Sequence, residues 1–211
     1  MTRQIVERGE VISMVARRAE QERAPLRQML DYWQSLPATP GGLPARADVE
    51  PRAIEDLLDR AFLLEALTPE IALLRVAGGH LSDLIARDAT GLAFSDLFAA
   101  DAVLTLRRAV RDVFAARQGV ELELVAHELE PGAPLVGSLI LLPLRAEDGR
   151  VSRALGCLVT RGRIGYAPRR FSITANRLIA LPASKEICAA STVRHTKKAQ
   201  PQPRLRLVVS N

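Results

Sequence analysis

Residues 30–91 read LDYWQSLPATPGGLPARADVEPRAIEDLLDRAFLLEALTPEIALLRVAGGHLSDLIARDATG. Apolar residues at helical spacing, beginning just after Pro25, predict a helix with one buried face: Leu26, Met29, Leu30 and Trp33. Four prolines between Pro37 and Pro51 predict a loop, and Pro51 suits the first turn of a short helix. The apolar runs 62–67 and 71–77 flank a Thr-Pro-Glu turn, which predicts a β-hairpin that ends at Gly78-Gly79.

Further elements are predicted on both sides of this stretch. Upstream, an apolar stripe among charges indicates an amphipathic first helix: Ile5, Ile12, Val15, Ala16 and Ala19. Residues 80–98 are irregular, with single helical turns at 81–85 and 95–98. Downstream, one longer helix is marked by Val103, Leu106, Val110, Val113 and Phe114. Three strands follow, at 120–128, 138–144 and 153–161.

These elements predict an α+β fold with a five-stranded antiparallel sheet. The last two strands are apolar on both faces, so both sides of the sheet must be covered. We expect the short helices and the long helix on one face. The amino-terminal helices cover the other face, with Met29 and Trp33 as the candidate interface residues.

The order of these motifs resembles a PAS domain, and more narrowly the PAS-like family common in alphaproteobacteria. The Tyr-Trp helix of that family is similar to Asp31-Tyr32-Trp33, and its proline-arginine loop to residues 43–51. Its Arg-Leu-Ala-Gly-Thr strand end resembles residues 75–79, where Gly79 replaces the threonine and its hydroxyl. The resemblance covers about residues 30–181. It implies a PAS fold and a sensory role.

We expect four regions along the chain. Residues 1–36 hold the amino-terminal helices, and residues 37–61 hold the proline loop and a short capping helix. Residues 62–183 form the PAS-like core and a carboxy-terminal extension, and residues 184–211 form a disordered basic tail.

Charge is distributed unevenly. Residues 1–184 carry 23 arginines and 23 acidic residues, so the tail supplies the whole net charge of +5. No apolar run reaches the roughly 18 residues that a membrane span needs, and charges interrupt any secretion signal near the start. We therefore expect a cytoplasmic protein without a membrane partner. Nonspecific nucleic-acid binding by the basic tail ranks third among the function classes.

Residues that catalysis requires are scarce. His80, His127 and His195 are scattered, Cys157 and Cys188 lack metal-ligand spacing, and no nucleophile lies beside a base, so we expect no catalytic residue, no metal site and no enzyme. Glu121 and Glu123 share one strand face, where alternation assigns them to solvent.

Haem and flavin are disfavoured because the residues that they would require are missing. The resemblance implies that haem would need a histidine on the long helix and flavin photochemistry a cysteine among the short helices. Residues 102–116 and 81–98 contain neither. An unidentified small ligand remains open, with four phenylalanines as the candidate cavity lining: Phe62, Phe94, Phe98 and Phe114. The alternative interpretation of these four rings is simple core packing.

A group of arginines near the end of the body forms the candidate anion-contact site: Arg163, Arg169 and Arg170. The alternative is a solvated edge. The leading hypothesis is a non-catalytic PAS-like module that docks to a signalling protein or to itself as a homodimer, modulated by a small ligand. A small-molecule-binding or catalytic α+β pocket domain is the second hypothesis.

Overall fold

The computed structural model describes residues 21–37, 42–126 and 134–181. The predicted first helix, His127, Cys188, His195 and the basic tail lie outside these residues. Gln21 and Glu22 are helical, Arg23 forms a turn, and helix α1 then spans Ala24–Ser35 with Pro25 in its first turn. Because proline lacks an N–H group and has a fixed φ, this position is favourable for it.

The motif Asp31-Tyr32-Trp33 fixes α1 to two other parts of the molecule. The Tyr32 hydroxyl accepts a hydrogen bond from the Glu50 backbone N–H at 2.8 Å. The Trp33 Nε1–H donates to the Pro143 backbone oxygen at 3.0 Å. One aromatic side chain thus holds the proline loop, and its neighbour holds the sheet.

Short 3-10 helices and two further α-helices connect the strands. The 3-10 helices span Arg46–Asp48, Pro51–Leu57, Phe94–Leu97 and Ala100–Ala102. Helix α2 spans Gly79–Ile85, and helix α3 spans Val103–Phe114. Gly78 lies immediately before α2, where a Cβ atom would come within 2.2 Å of the Asp59 backbone oxygen. Only glycine fits this contact, which explains the glycine in the strand-end motif.

The sheet contains six antiparallel strands in the order β2-β1-β5-β4-β3-β6. The strands are β1 Ala61–Thr68, β2 Ile71–Ala77, β3 Gly119–Ala126, β4 Leu135–Arg145, β5 Val151–Arg161 and β6 Ser172–Ile179. The predicted fold class is confirmed, but the predicted number of strands was wrong. The extra strand, β6, pairs with β3 at the edge of the sheet. Because its side chains are largely exposed, β6 lacks the alternation that identifies a strand in sequence.

Each face of the sheet has its own hydrophobic core. The inner face packs against α2, α3 and the short helices, with Leu64, Leu74, Leu122, Leu139 and Leu158 in one buried cluster. The outer face packs against α1 and the loop that follows it, with Met29, Trp33, Ile140, Leu142 and Leu155 in a second cluster. The prediction that the Trp33 helix covers the second face is therefore confirmed. No helix within the described part of the chain is long and apolar enough to cross a membrane.

Candidate functional site

On the outer face, paired residues of neighbouring strands form rows that run across the sheet. Cys157 pairs with Ile140, and Leu155 pairs with Leu142, in two rows that α1 covers. Met29 and Trp33 lie over this region and are 0% and 2% exposed. These candidate interface residues therefore contact the sheet of their own chain. Their burial stabilises the fold by about 1.5 to 3 kcal/mol for each side chain.

The next two rows lie beyond the start of α1 and are only partly covered. One row is Val159, Ser138 and Glu123, and the other is Arg161, Val136 and Val125, each crossing β5, β4 and β3. All three valines are half-buried. A groove of about 580 Å³ lies over these rows, and Glu22, Arg23 and Thr174 complete its lining. We call it the outer-face groove.

Ion pairs form the rim of the outer-face groove. The Arg23 guanidinium contacts Glu121 at 3.4 Å and also pairs with Glu123. Arg161 donates to Glu22 at 3.2 Å, and the Ser138 hydroxyl donates to Glu123 at 2.8 Å. Glu121 and Glu123 were predicted to be solvated, but their side chains are only 23% and 21% exposed. The two glutamates are less exposed than predicted because both pair with Arg23, which lies about 100 positions away in the chain.

Three of the four candidate phenylalanines stack in the inner core. The ring centroids of Phe62 and Phe94 are 5.6 Å apart, and those of Phe94 and Phe98 are 5.2 Å apart in an edge-to-face arrangement. A Cβ atom on Gly156 would lie 2.2 Å from the Phe62 ring, so this ring packs directly on the central strand β5. The aromatic side chains thus fill the middle of the inner core.

A smaller cavity lies at one side of this core. It measures about 170 Å³ and lies between β2 and α3, with Ile71, Ala72, Phe94, Val103 and Val110 among its lining residues. Phe114 lines a separate cleft near the β1–β2 turn. Of the four candidate rings, Phe94 therefore contributes to a partly open, mostly apolar cavity that Glu70, Ser95 and Arg107 also line, with a volume sufficient for a small molecule.

Titratable side chains do not form a reactive set in the described residues. Burial raises the pKa of the Cys157 thiol to about 12, so the thiolate is scarce at neutral pH. Burial also lowers the pKa of His80, whose Nε2 lies 3.0 Å from the Thr160 hydroxyl. In residues 21–37, 42–126 and 134–181, no three histidine, cysteine or carboxylate side chains gather as a metal site.

The three anion-contact candidates lie in different environments. Arg163 and Arg170 are exposed. Arg169 is 5% exposed, and its guanidinium donates to the Ala126 backbone oxygen at 2.9 Å. Arg169 therefore anchors its loop inside the protein. Of the three candidates, only Arg163 and Arg170 are therefore accessible from outside.

The groove rim was not predicted from the sequence. Glu22 and Arg23 lie more than 100 positions before Ser138 and Arg161 in the chain, and the two pairs gather only in the fold. One signal was present, because two glutamates on the same strand face mark a position for an arginine partner.

The family model described as a PAS domain matches residues 21–159, from the start of α1 through most of β5. None of the curated proteins compared with the chain matches it in sequence.

Three solved structures overlap parts of the chain. A light-oxygen-voltage domain studied with a flavin analogue is 15% identical, with a TM-score of 0.39, and the match covers 53% of this chain and 84% of that one. An RNA-binding light-oxygen-voltage receptor is 20% identical, with a TM-score of 0.38, over 59% of this chain and 37% of that one. A sensory box sensor histidine kinase from Vibrio cholerae is 12% identical, with a TM-score of 0.34, over 71% and 99%.

Proposed function

Because the chain belongs to the PAS domain family, we propose that it is a non-catalytic sensory or regulatory module that acts by docking. The docking surface is the outer-face groove, and the occupant is the predicted amphipathic helix of a second copy. The observation that carries this proposal is a partly covered apolar surface, with Val125, Val136 and Val159 at its floor and ion pairs at its rim.

The dimensions of the groove suit a helix that runs across the strands. Four strands, β5, β4, β3 and β6, are about 14 Å wide at a spacing of about 4.8 Å. A helix about 10 Å in diameter rises about 1.5 Å per residue, so roughly ten residues cross them. Ile12, Val15, Ala16 and Ala19 lie within such a length, and the two alanines permit a close approach to the strands.

The apolar stripe of the predicted helix also needs a surface that covers it. From Ile5 to Ala19, its apolar stripe would extend about 21 Å, which exceeds the width of one groove. A soluble protein rarely leaves a contiguous apolar surface uncovered. Two chains that place these stripes on each other's sheets would cover the stripes and both grooves.

Sedimentation velocity of the full chain tests this proposal. We expect a dimer for the natural sequence and a monomer for Val136→Asp, because a carboxylate in the groove floor opposes apolar contact. Leu104→Asp is the matched control, since Leu104 is 68% exposed on α3 at the other face. A dimer that tolerates Val136→Asp, or that Leu104→Asp disrupts equally, would contradict the proposal. Unchanged far-ultraviolet circular dichroism excludes unfolding as the cause.

A small apolar ligand in the cavity beside Phe94 is the second candidate function. The cavity of about 170 Å³ is comparable to engineered cavities that bind benzene. Native mass spectrometry of protein from its own host tests this candidate, with retained mass expected in the natural protein. Leu106→Trp fills the cavity and should abolish the retained mass, because Leu106 lines it. Retention by this variant would place the ligand elsewhere.

A further inference from the structure

One segment near the carboxy terminus, residues 149–184, contains only one sign of charge. Between Gly149 and Ser184 it has seven arginines and no acidic residue. Arg153 pairs with Glu65 at 2.8 Å, Arg161 pairs with Glu22, and Arg169 is buried. Arg163 and Arg170 are exposed and form no ion pair with any residue of the described ranges. Arg150 and Arg177 are exposed as well, but only Arg163 and Arg170 lie on one loop, and their two guanidinium groups remain available to an anion from outside the chain.

These two arginines flank an exposed aromatic ring. Tyr166 is 88% exposed, and it lies between Arg163 and Arg170 on the loop from Gly162 to Arg170. Burying a tyrosine ring is favourable, so a ring that is almost fully exposed offers contact area to a partner. Gly162, Gly165 and Ala167 have small side chains or none. The large side chains of this loop are therefore Tyr166 and the arginines, together with Ile164 and Pro168.

The end of the loop is firmly attached to the protein. The Arg169 backbone N–H donates to the Leu84 oxygen at 2.7 Å, and its side chain donates to Ala126. Phe171 is 0% exposed, and its N–H donates to the Leu97 oxygen at 2.9 Å. The exposed residues are therefore presented from a fixed base, which reduces the entropy that a partner must remove on binding.

We infer that the loop 162–170 is a binding site for single-stranded nucleic acid. Tyr166 stacks on a base, while Arg163 and Arg170 contact the flanking phosphates. Arginine next to glycine, together with an exposed aromatic ring, is typical of surfaces that bind single strands without sequence preference. An acidic peptide would satisfy the arginines but would leave the ring without a stacking partner. The loop lies beyond residue 159, where the family match ends, so the site goes beyond the proposed docking function.

Fluorescence anisotropy with a labelled oligouridylate of about ten nucleotides tests the inference in the full chain. Tyr166→Ala should weaken binding about tenfold, because stacking on one base is lost. Tyr166→Phe keeps the ring and should bind like the natural protein. The double variant Arg163→Ala, Arg170→Ala should weaken binding and lower the slope of log affinity against log salt by about 1.4.

The matched control is Arg107→Ala, Arg108→Ala, which removes two exposed arginines from α3. Because the basic tail is present in every variant, its contribution to binding cancels. Equal losses in the two double variants, or no loss in Tyr166→Ala, would overturn the inference. Displacement of the oligonucleotide by polyglutamate at equal charge concentration would also overturn it, since the loop would then recognise acidic chains in general.

Discussion

The two faces of the sheet differ in how completely the protein covers them. On the inner face, the Phe62 ring packs directly on the central strand, where it occupies the space above Gly156, and Phe94 packs against it. On the outer face, α1 covers the rows around Leu142 and Leu155, while the rows around Val136 and Val159 form a groove with a charged rim. The difference gives the inner face a closed core, and the open rows of the outer face are the basis of the docking proposal.

The largest effect is expected where Phe62 meets β5. Phe62→Ala should lower the free energy of unfolding by about 3–5 kcal/mol, because a fully buried ring is removed. Urea denaturation measures this change. Gly156→Ala should cost about 1–3 kcal/mol in the natural protein, since its Cβ would overlap the ring.

A double-mutant cycle sharpens the same point. In the Phe62→Ala background, Gly156→Ala should cost much less, because the conflicting ring is absent. Additive costs would show that the ring does not pack on Gly156, and the inner face would then not be filled as described.

A smaller effect is expected on the covered part of the outer face. Trp33→Phe keeps most of the ring contact but leaves the buried Pro143 oxygen without its donor, which should cost about 1–3 kcal/mol. Tyr32→Phe is the matched variant, because its hydroxyl bonds are more exposed and their loss should cost about 0.5–1.5 kcal/mol. Denaturation measures both losses of free energy. A larger loss for Trp33→Phe would show that the outer core excludes water, and equal losses would show that α1 is loosely attached.

His80 adds a pH dependence between α2 and β5. Burial lowers its pKa, and Arg60 acts in the same direction, whereas Asp59 and Asp83 oppose the shift. The unfolded chain therefore takes up a proton first, at an ordinary pKa of about 6.5. Stability should be level above about pH 6.5 and should fall as the pH drops from there towards the lower folded pKa. His80→Asn should remove this slope in thermal melts, and a slope that persists would assign it to other groups.

The smallest effect on stability is expected at the groove rim. Arg23→Ala should change the free energy of unfolding by about 1 kcal/mol or less, because its ion pairs are partly exposed. The loss should shrink further at high salt. A loss of several kcal/mol in chemical denaturation would mean that the rim belongs to the folding core, and the contrast between the two faces would disappear.

Much of the fold was predictable because local patterns survive in the structure. The helix at 103–114 and the strand at 120–126 keep one buried side, so their spacing in the sequence identified them. Strand β6 was missed because an edge strand with mixed exposure has no clear period. The rim around Arg23 and the packing of Phe62 on Gly156 depend on residues about 100 positions apart, which no local pattern reports.

Disulfide trapping tests the central claim most directly. The full chain would carry Ala16→Cys in the predicted helix, Val159→Cys in the groove and Cys188→Ser, while the buried Cys157 remains unreactive because of its raised pKa. Mild oxidation should give a covalent dimer on a non-reducing gel, and Ala16→Cys with Leu104→Cys should give none. A disulfide formed only within single chains, or no disulfide at all, would contradict docking of the helix onto a second copy.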